Sequence, residues 1–561
     1  MLHRYFTFII LLWLPLATTA VSDPLLVTLK GELQREFSAL RQSDNPPYFI
    51  SLRVVDEQRY ATGGSFGALV GSAESHTRRL TPSVRIGSME RDNTHELRAG
   101  HGSSSVNDDG ARAHNLPLED NDLAVRQRVW LAVDAEYRAA QSRYERVQAN
   151  VATRVRANDT SPDFSPAPVE KYVEAIVPFE VDKELWESRV KHLSSLFASN
   201  TDLIHGRVNF TYRLERKYFI STEGTEVVVN QPYAQLSISA LAKAGDGAEL
   251  PLQQSFFAFS PEGLPHDSII TREITALSSK LSELKVSPEV EPYSGPALLS
   301  ATAAGVFFHE IFGHRIEGQR MRSESDGQTF KRMAGRQVLP THLNVEMNPV
   351  PRQFNGEDLN GHYLFDDEGV RAQNVQVVQD GILQNFLMSR TPIEGFPQSN
   401  GHARAEPGRQ PTSRQSNMIV TSNRTFTNDE LRQQLRDEAQ RQDKEYGYYF
   451  ASVVGGFTTT GRYMPNSFNV TPTEVYRVYV DGRPDELVRG VDLVGTPLAM
   501  FSQIESAGSD YGVFTGTCGA ESGGVPVTAI APTLLVRMIE VQKKPKSQST
   551  PPLLPKPTGC D

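Results

Sequence analysis

Residues 300–318, SATAAGVFFHEIFGHRIEG, constrain this chain more than any other stretch. Ser300 is an N-cap residue type and residues 301–308 are small or apolar, so a helix is expected to start here. His309 and Glu310 follow, and His314 comes five residues after His309. This H-E-x-x-x-H spacing is one residue longer than the pattern that sets two zinc-binding imidazoles on one helical face beside a catalytic glutamate. Five residues of regular α-helix turn through about 500°, leaving the two rings roughly 140° apart. Both can meet one ion only if the helix is irregular between them. A π-bulge eased by Gly313 is the expected irregularity.

Two histidines in an apolar segment are also ordinary buried residues. The chain carries a second such string, His95-Glu96 with His101, in a polar Gly- and Ser-rich stretch over 87–115 that reads as surface loop. Cys518 separates the two cases. It sits in a glycine-flanked turn, TGTCG at 515–519, and two imidazoles with one thiolate leave a fourth zinc position open for water. His309, His314 and Cys518 are therefore the expected metal ligands, and Glu310 the expected general base. Glu317, one helical turn past His314, is either a carboxylate that orients that ring or a structural one.

The remaining composition bounds the function. The chain has 561 residues, more than one core accommodates, so two or three domains are expected. Its net charge of −10 argues against nucleic-acid binding, which needs a basic face. Arg4, an apolar run over 5–16 and ATTA at 17–20 read as a secretory signal cut near Ala20, giving an exported, periplasmic or extracellular protein; the alternative is an uncleaved N-terminal anchor. No later stretch reads as a membrane span. The only other cysteine, Cys560, lies in a Pro- and Lys-rich tail over 543–561 expected to be disordered.

Helical spacing is expected at 25–40, 123–155, 183–197 (capped by Asp182) and 267–284, and from the capping box Thr427-x-x-Glu430 onward. Alternation predicts strands at 48–59, 208–214 and 234–240. Hairpins are expected over 375–386, turned at Asp380-Gly381, and over 475–488, turned at Asp481-Gly482. Residues 525–541 read as a buried strand, and 158–168 as a Pro-rich linker. The expected fold is α+β. An N-terminal domain of helices and antiparallel sheet (21–290) precedes an antiparallel, β-rich, barrel-like domain (291–542), with the zinc-site helix near their junction.

The motifs taken together resemble the TldD/PmbA family of metallopeptidases. They are YSGPALL at 293–299, the histidine segment with Glu317-Gly318, FDDEG at 365–369, residues 375–390, NMIV at 417–420, RGVDL at 489–493, Cys518-Gly519, GVPV at 524–527 and PTL at 532–534. The resemblance spans about 293–541 and is to the metal-bearing type. It implies zinc on His309, His314 and Cys518, hydrolysis of unfolded or short peptides with Glu310 as base, and a dimer, either of identical chains or with a metal-free paralogue. In the polar segment 399–404, read as flexible, His402 and Arg404 are candidates to hold substrate carbonyls or a terminal carboxylate. The competing readings are a non-catalytic peptide-binding or scaffolding subunit with a structural zinc, and a redox pair of Cys518 with Cys560.

Overall fold

The computed structural model describes residues 23–97, 112–153, 160–323, 325–462 and 468–544. The expected signal, His101 of the second histidine string and Cys560 with its tail lie outside the described residues.

In the first half, helix α1 (Pro24–Leu40) is followed by two long strands, β1 (Pro47–Ser65) and β2 (Ala68–Ile86). Helices α2 (Asp122–Thr153) and α3 (Lys183–Ser195) lead to β3 (Leu203–Ser221), β4 (Glu226–Lys243) and β5 (Glu249–Ala258), and α4 (Asp267–Val286) closes the series. The strands form one antiparallel sheet in the order β2-β1-β3-β4-β5. Alternation places Val208, Phe210, Tyr212 and Leu214 of β3 on the buried face, as the sequence pattern predicts. Both helix pairs cover this face. Helices α1 and α2 pack over Leu52, Val54, Leu80 and Tyr218, while α3 and α4 pack over Tyr60, Val208, Phe210 and Leu236. Asp182 caps α3 by accepting from Leu185 N, as expected.

The second half holds β6 (Tyr293–Leu299), α5 (Ala301–Ile311), β7 (Leu343–Met347), β8 (Val375–Gln379), β9 (Asn417–Ser422) and α6 (Asn428–Arg441). They are followed by β10 (Tyr446–Thr458), β11 (Phe468–Tyr479), β12 (Val491–Gly495), β13 (Gly512–Ala520), β14 (Gly523–Ala531) and β15 (Leu534–Lys543). Strands β6, β10, β11, β12 and β15 close on themselves, because β6 pairs with both β10 and β15. This five-stranded barrel removes two sheet edges. A second sheet runs β8-β7-β9-β14-β13. The fold is α+β and rich in strands, with α5 packed between barrel strands and the β13–β14 hairpin.

Several local expectations hold. The capping box of Thr427 and Glu430 forms at α6, and Asp380 and Gly381 both take positive φ in the turn after β8. Other expectations are corrected. Residues 525–541 are two strands in two different sheets, broken where Pro532 interrupts the backbone donors. The described part of the 158–168 linker is packed rather than loose: Asp163, Phe164 and Ser165 are buried, and the Ser165 carbonyl accepts from Arg390 at 2.6 and 2.8 Å. Buried Arg390 also pairs with Glu223 at 2.7 Å and so ties the two halves together. Arg322, just beyond the histidine segment, donates to the Pro162 carbonyl and pairs with Asp163, which puts that segment near the junction.

Candidate metal centre

Helix α5 is buried along most of its length, and its start follows from the sequence: the Ser300 side chain accepts from Ala303 N at 3.2 Å. Gly305 lets it lie against β14, since a Cβ there would stand 2.9 Å from the Ala529 carbonyl oxygen. The irregularity demanded by the histidine spacing exists, but it is not a π-bulge. The α-helix stops at Ile311, Phe312 caps it, and the chain rewinds as a 3-10 turn, Gly313–Arg315. Gly313 is needed for close approach: a Cβ would fall 1.9 Å from Gln415 Oε1. Two carbonyls freed at the helix end are satisfied by Arg315, whose Nη1 donates to Glu310 O and Ile311 O at 3.0 Å.

The break turns His314 back toward His309, and their ring centroids are 5.3 Å apart. Cys518, on β13, completes the group: one ligand atom from each of His309, His314 and Cys518 lies within 4.8 Å of the others, and all three residues are buried. Cys518 Sγ stands 3.4 Å from His314 Nε2. Tetrahedral zinc with ordinary Zn–S and Zn–N bonds spaces such atoms by about 3.5 Å, so the donor set fits the ion.

Without a metal the group is charge-paired, and a bound cation would take the place of the His314 proton. Burial works against a thiolate on Cys518, but His314 and His309 outweigh it and hold the thiol well below its ordinary value. Burial likewise works against charge on His314, yet Cys518 and Glu317 push it up to about 10. Glu317, fully buried, faces His314 Nδ1 at 3.3 Å and so leaves Nε2 for the metal side. Burial would raise the Glu317 carboxyl, but His314 and Arg320 bring it down to about 2. Burial raises the Glu310 carboxyl, only partly opposed by His309 and His314.

Four residues that the sequence reading missed support this group. Arg320 donates to Glu317 at 2.8 Å and reaches Glu521 at 2.9 Å. Arg414 donates to the Cys518 carbonyl at 2.6 Å. Gln415 donates to the His309 carbonyl at 3.3 Å, and Arg315 caps the helix. A charged residue in the first turns after the histidine motif was the only local signal, and it points to Arg315 and Arg320 alone.

Residues 401–404 are buried, and Ser399 and Asn400 half-buried, in a segment expected to be flexible. His402 is enclosed and held by Asn400 at 3.1 Å, and burial pulls its ring down to about 3, so it is neutral. Arg404 donates to the carbonyls of Gln415 at 2.7 Å and Pro526 at 2.6 Å. The acidic run 366–368 clamps this region: Asp366 accepts from Ala403 N and Asp367 from Ala405 N, while Glu368 accepts from Arg390 N.

Residues 292–543 match the family model described as the PmbA/TldA metallopeptidase C-terminal domain. This region is therefore similar to the C-terminal domain of that metallopeptidase family. Among curated relatives, a metalloprotease of Methanothermobacter thermautotrophicus is 27% identical over 349 residues, covering 61% of this chain and 70% of the relative. A zinc metalloprotease TldD homolog of Saccharolobus solfataricus is 25% identical over 331 residues, covering 58% of this chain and 68% of the relative. The crystal structure of TldE from Thermococcus kodakarensis shares the fold, with a TM-score of 0.60 at 10% identity, over 92% of this chain and 99% of that one. The metallopeptidase names of the family imply a metal cofactor, and the His309, His314 and Cys518 group is where this chain can hold one.

Proposed function

We propose that this chain is a zinc-dependent peptidase acting on unfolded or short peptides, with His309, His314 and Cys518 as ligands and Glu310 as general base. The observation that carries the reading is the buried convergence of two imidazoles and a thiolate directly beside a carboxylate that burial makes more basic. When bound, zinc supplies Lewis acidity for the scissile carbonyl and makes an attacking water more acidic. Glu310 takes the proton from that water and returns it to the leaving amine. Glu317 fixes the His314 ring by facing Nδ1. Gly456 of β10 leaves space at Glu310, where a Cβ would lie 2.9 Å from its Cγ.

Recognition by backbone pairing fits the same place. Strand β10 pairs with β6 only through residues 448–450, so among the described residues the stretch 452–457 beside Glu310 has β11 as its single strand partner. An extended peptide adding to that edge gains affinity with little sequence preference. From the sequence, direct contact with substrate is expected of His402 and Arg404; both are buried, and Arg404 donates to the Gln415 and Pro526 carbonyls, so neither is assigned a substrate contact. Export and a dimer, with an identical chain or a metal-free paralogue, complete the proposal.

The test is digestion of an unstructured peptide mixture by the purified chain, read by mass spectrometry, beside Glu310→Gln and with metal content measured. New fragments from the unmodified chain alone, lost on chelation and restored by zinc, are the expected result. Equal fragments from both proteins would sink the assignment of Glu310.

A further inference from the structure

The two halves of the metal group come from distant parts of the chain, and their connection runs through one fully buried arginine. His309 and His314 lie at the end of α5, whereas Cys518 sits on a hairpin made by β13 and β14. Arg414, just before β9, is completely enclosed. Its Nη2 donates to the Cys518 carbonyl at 2.6 Å. Its Nη1 donates to Ser522 Oγ and to the Gly523 carbonyl, both at 2.8 Å, at the turn of the same hairpin. Its Nε lies 3.4 Å from Glu317 Oε1, an ion pair without a hydrogen bond, on the carboxylate whose other oxygen faces His314. One planar guanidinium thus hydrogen-bonds the thiolate strand on one edge and pairs by charge with the histidine-orienting carboxylate on the other.

Arg320 makes a parallel link, from Glu317 Oε2 at 2.8 Å to Glu521 Oε2 at 2.9 Å. Its hairpin anchor, Glu521, is a third exposed. An ion pair at that exposure is screened and contributes little. The Arg414 side chain is fully enclosed, and its neutral acceptors are the buried Cys518 carbonyl and Ser522 hydroxyl and the part-buried Gly523 carbonyl. Removing a buried charged group with several partners leaves those partners unsatisfied.

We propose that Arg414 is a positioning residue that sets the distance between Cys518 and the histidine pair, and hence the metal affinity of the group. The proposal rests on the zinc reading above and adds to it a residue that touches neither metal nor substrate. The fork geometry is essential to it, because lysine offers one point charge and cannot bridge the hairpin and Glu317 at once.

The experiment uses the full chain stripped of metal and loaded with cobalt(II) or zinc. Zinc affinity is measured by competition with a chromogenic chelator, and the cobalt–thiolate charge-transfer band reports the bond to Cys518. Arg414→Gln is expected to weaken zinc binding about 10- to 100-fold and to diminish or shift the cobalt band. Arg414→Lys is expected to recover only part of the loss. Ser522→Ala, which removes one acceptor of Arg414 and no ligand, is expected to weaken binding by a smaller factor and covers the case in which Arg414→Gln does not fold. Variants that melt earlier but bind zinc like the unmodified chain, with the same cobalt band, would reduce Arg414 to a structural role and overturn the proposal. An unmodified chain that binds no metal overturns this proposal and the zinc reading together. Stoichiometric metal without peptide cleavage counts against the peptidase reading alone.

Discussion

The chain spells histidine-glutamate followed by a later histidine twice, and the two copies meet different fates. His309-Glu310 ends a buried helix, and the break after it returns His314 to a site that Cys518 completes. His95-Glu96 follows β2 in a loop, half-buried rather than on the surface as expected. His95 Nδ1 lies 2.8 Å from Asp163 Oδ1, and Glu96 accepts from Ser323 Oγ at 3.2 Å. The loop string therefore ties its loop to the C-terminal half through Glu96 and Ser323, while the helix string brings together a candidate metal group. What differs is not the string but its surroundings. A soft third donor, a desolvating helix environment and an orienting carboxylate are present in one place, and a salt-bridged loop in the other.

The sharpest way to break this comparison is to neutralise both glutamates. Glu310→Gln is expected to lower kcat by about 10²- to 10⁴-fold with zinc retained, the usual worth of a general base. Glu96→Gln is expected to leave cleavage unchanged. A comparable loss in both would mean that the loop string takes part in catalysis.

The loop string should instead show its worth in stability. Next to it, fully buried Asp92 accepts from Arg85 at 2.7 Å and Tyr48 at 2.6 Å. Burial opposes its charge, but Arg85, Tyr48 and Thr94 outweigh that and hold the carboxyl below its ordinary 3.8. Because the folded value lies below the unfolded one, this contribution is present above pH 3.8 and is lost as the pH falls through the folded value. Asp92→Asn is expected to cost about 3 kcal/mol at neutral pH, the order found for breaking a buried pair, and less in acid. Denaturant melts at two pH values check it; an equal cost at both would remove the charge argument.

Metal removal discriminates between the two strings directly. If the proposed zinc is present at one hundred times its Kd, it would stabilise the folded chain by about 2.7 kcal/mol, so chelation should lower Tm. His314→Ala and Cys518→Ser should abolish that shift, and His95→Ala should keep it. A shift that survives Cys518→Ser would place the metal elsewhere.

The smallest effect concerns the helix break itself. Gly313→Ala drives a methyl into Gln415 and is expected to cost about 1–3 kcal/mol, as overpacking does. If thermal melting shows no cost, Gln415 moves freely and the close approach does not fix the turn.

Local features of the fold were legible because the interacting groups lie within a few residues of one another. The Ser300 and Asp182 caps, the capping box at Thr427 and the alternation of β3 and β4 are of this kind. His309, Glu310, His314 and Cys518 were singled out by their chemistry, and the structure brings the two histidines and the cysteine together; the need for a helix irregularity followed from turn geometry. The kind of irregularity was not legible, because an α-to-3-10 change depends on what packs against Gly313. The split of 525–541 into two sheets, the closure of the barrel and the burial of residues 401–404 also escaped, since alternation reports burial and not which sheet a strand joins.

By itself, then, the sequence determined local geometry and donor chemistry: where helices start, which hairpin turns at Asp380-Gly381, and that two imidazoles and a thiolate exist to be gathered. Tertiary structure alone decided that they meet. Cys518 and His314 are 204 residues apart, and Arg414 and Cys518 104 apart. A capping hydrogen bond forms between near neighbours and leaves its mark in composition. A contact across such separations depends on the packing of α5 between the barrel and the β13–β14 hairpin, which no local pattern records.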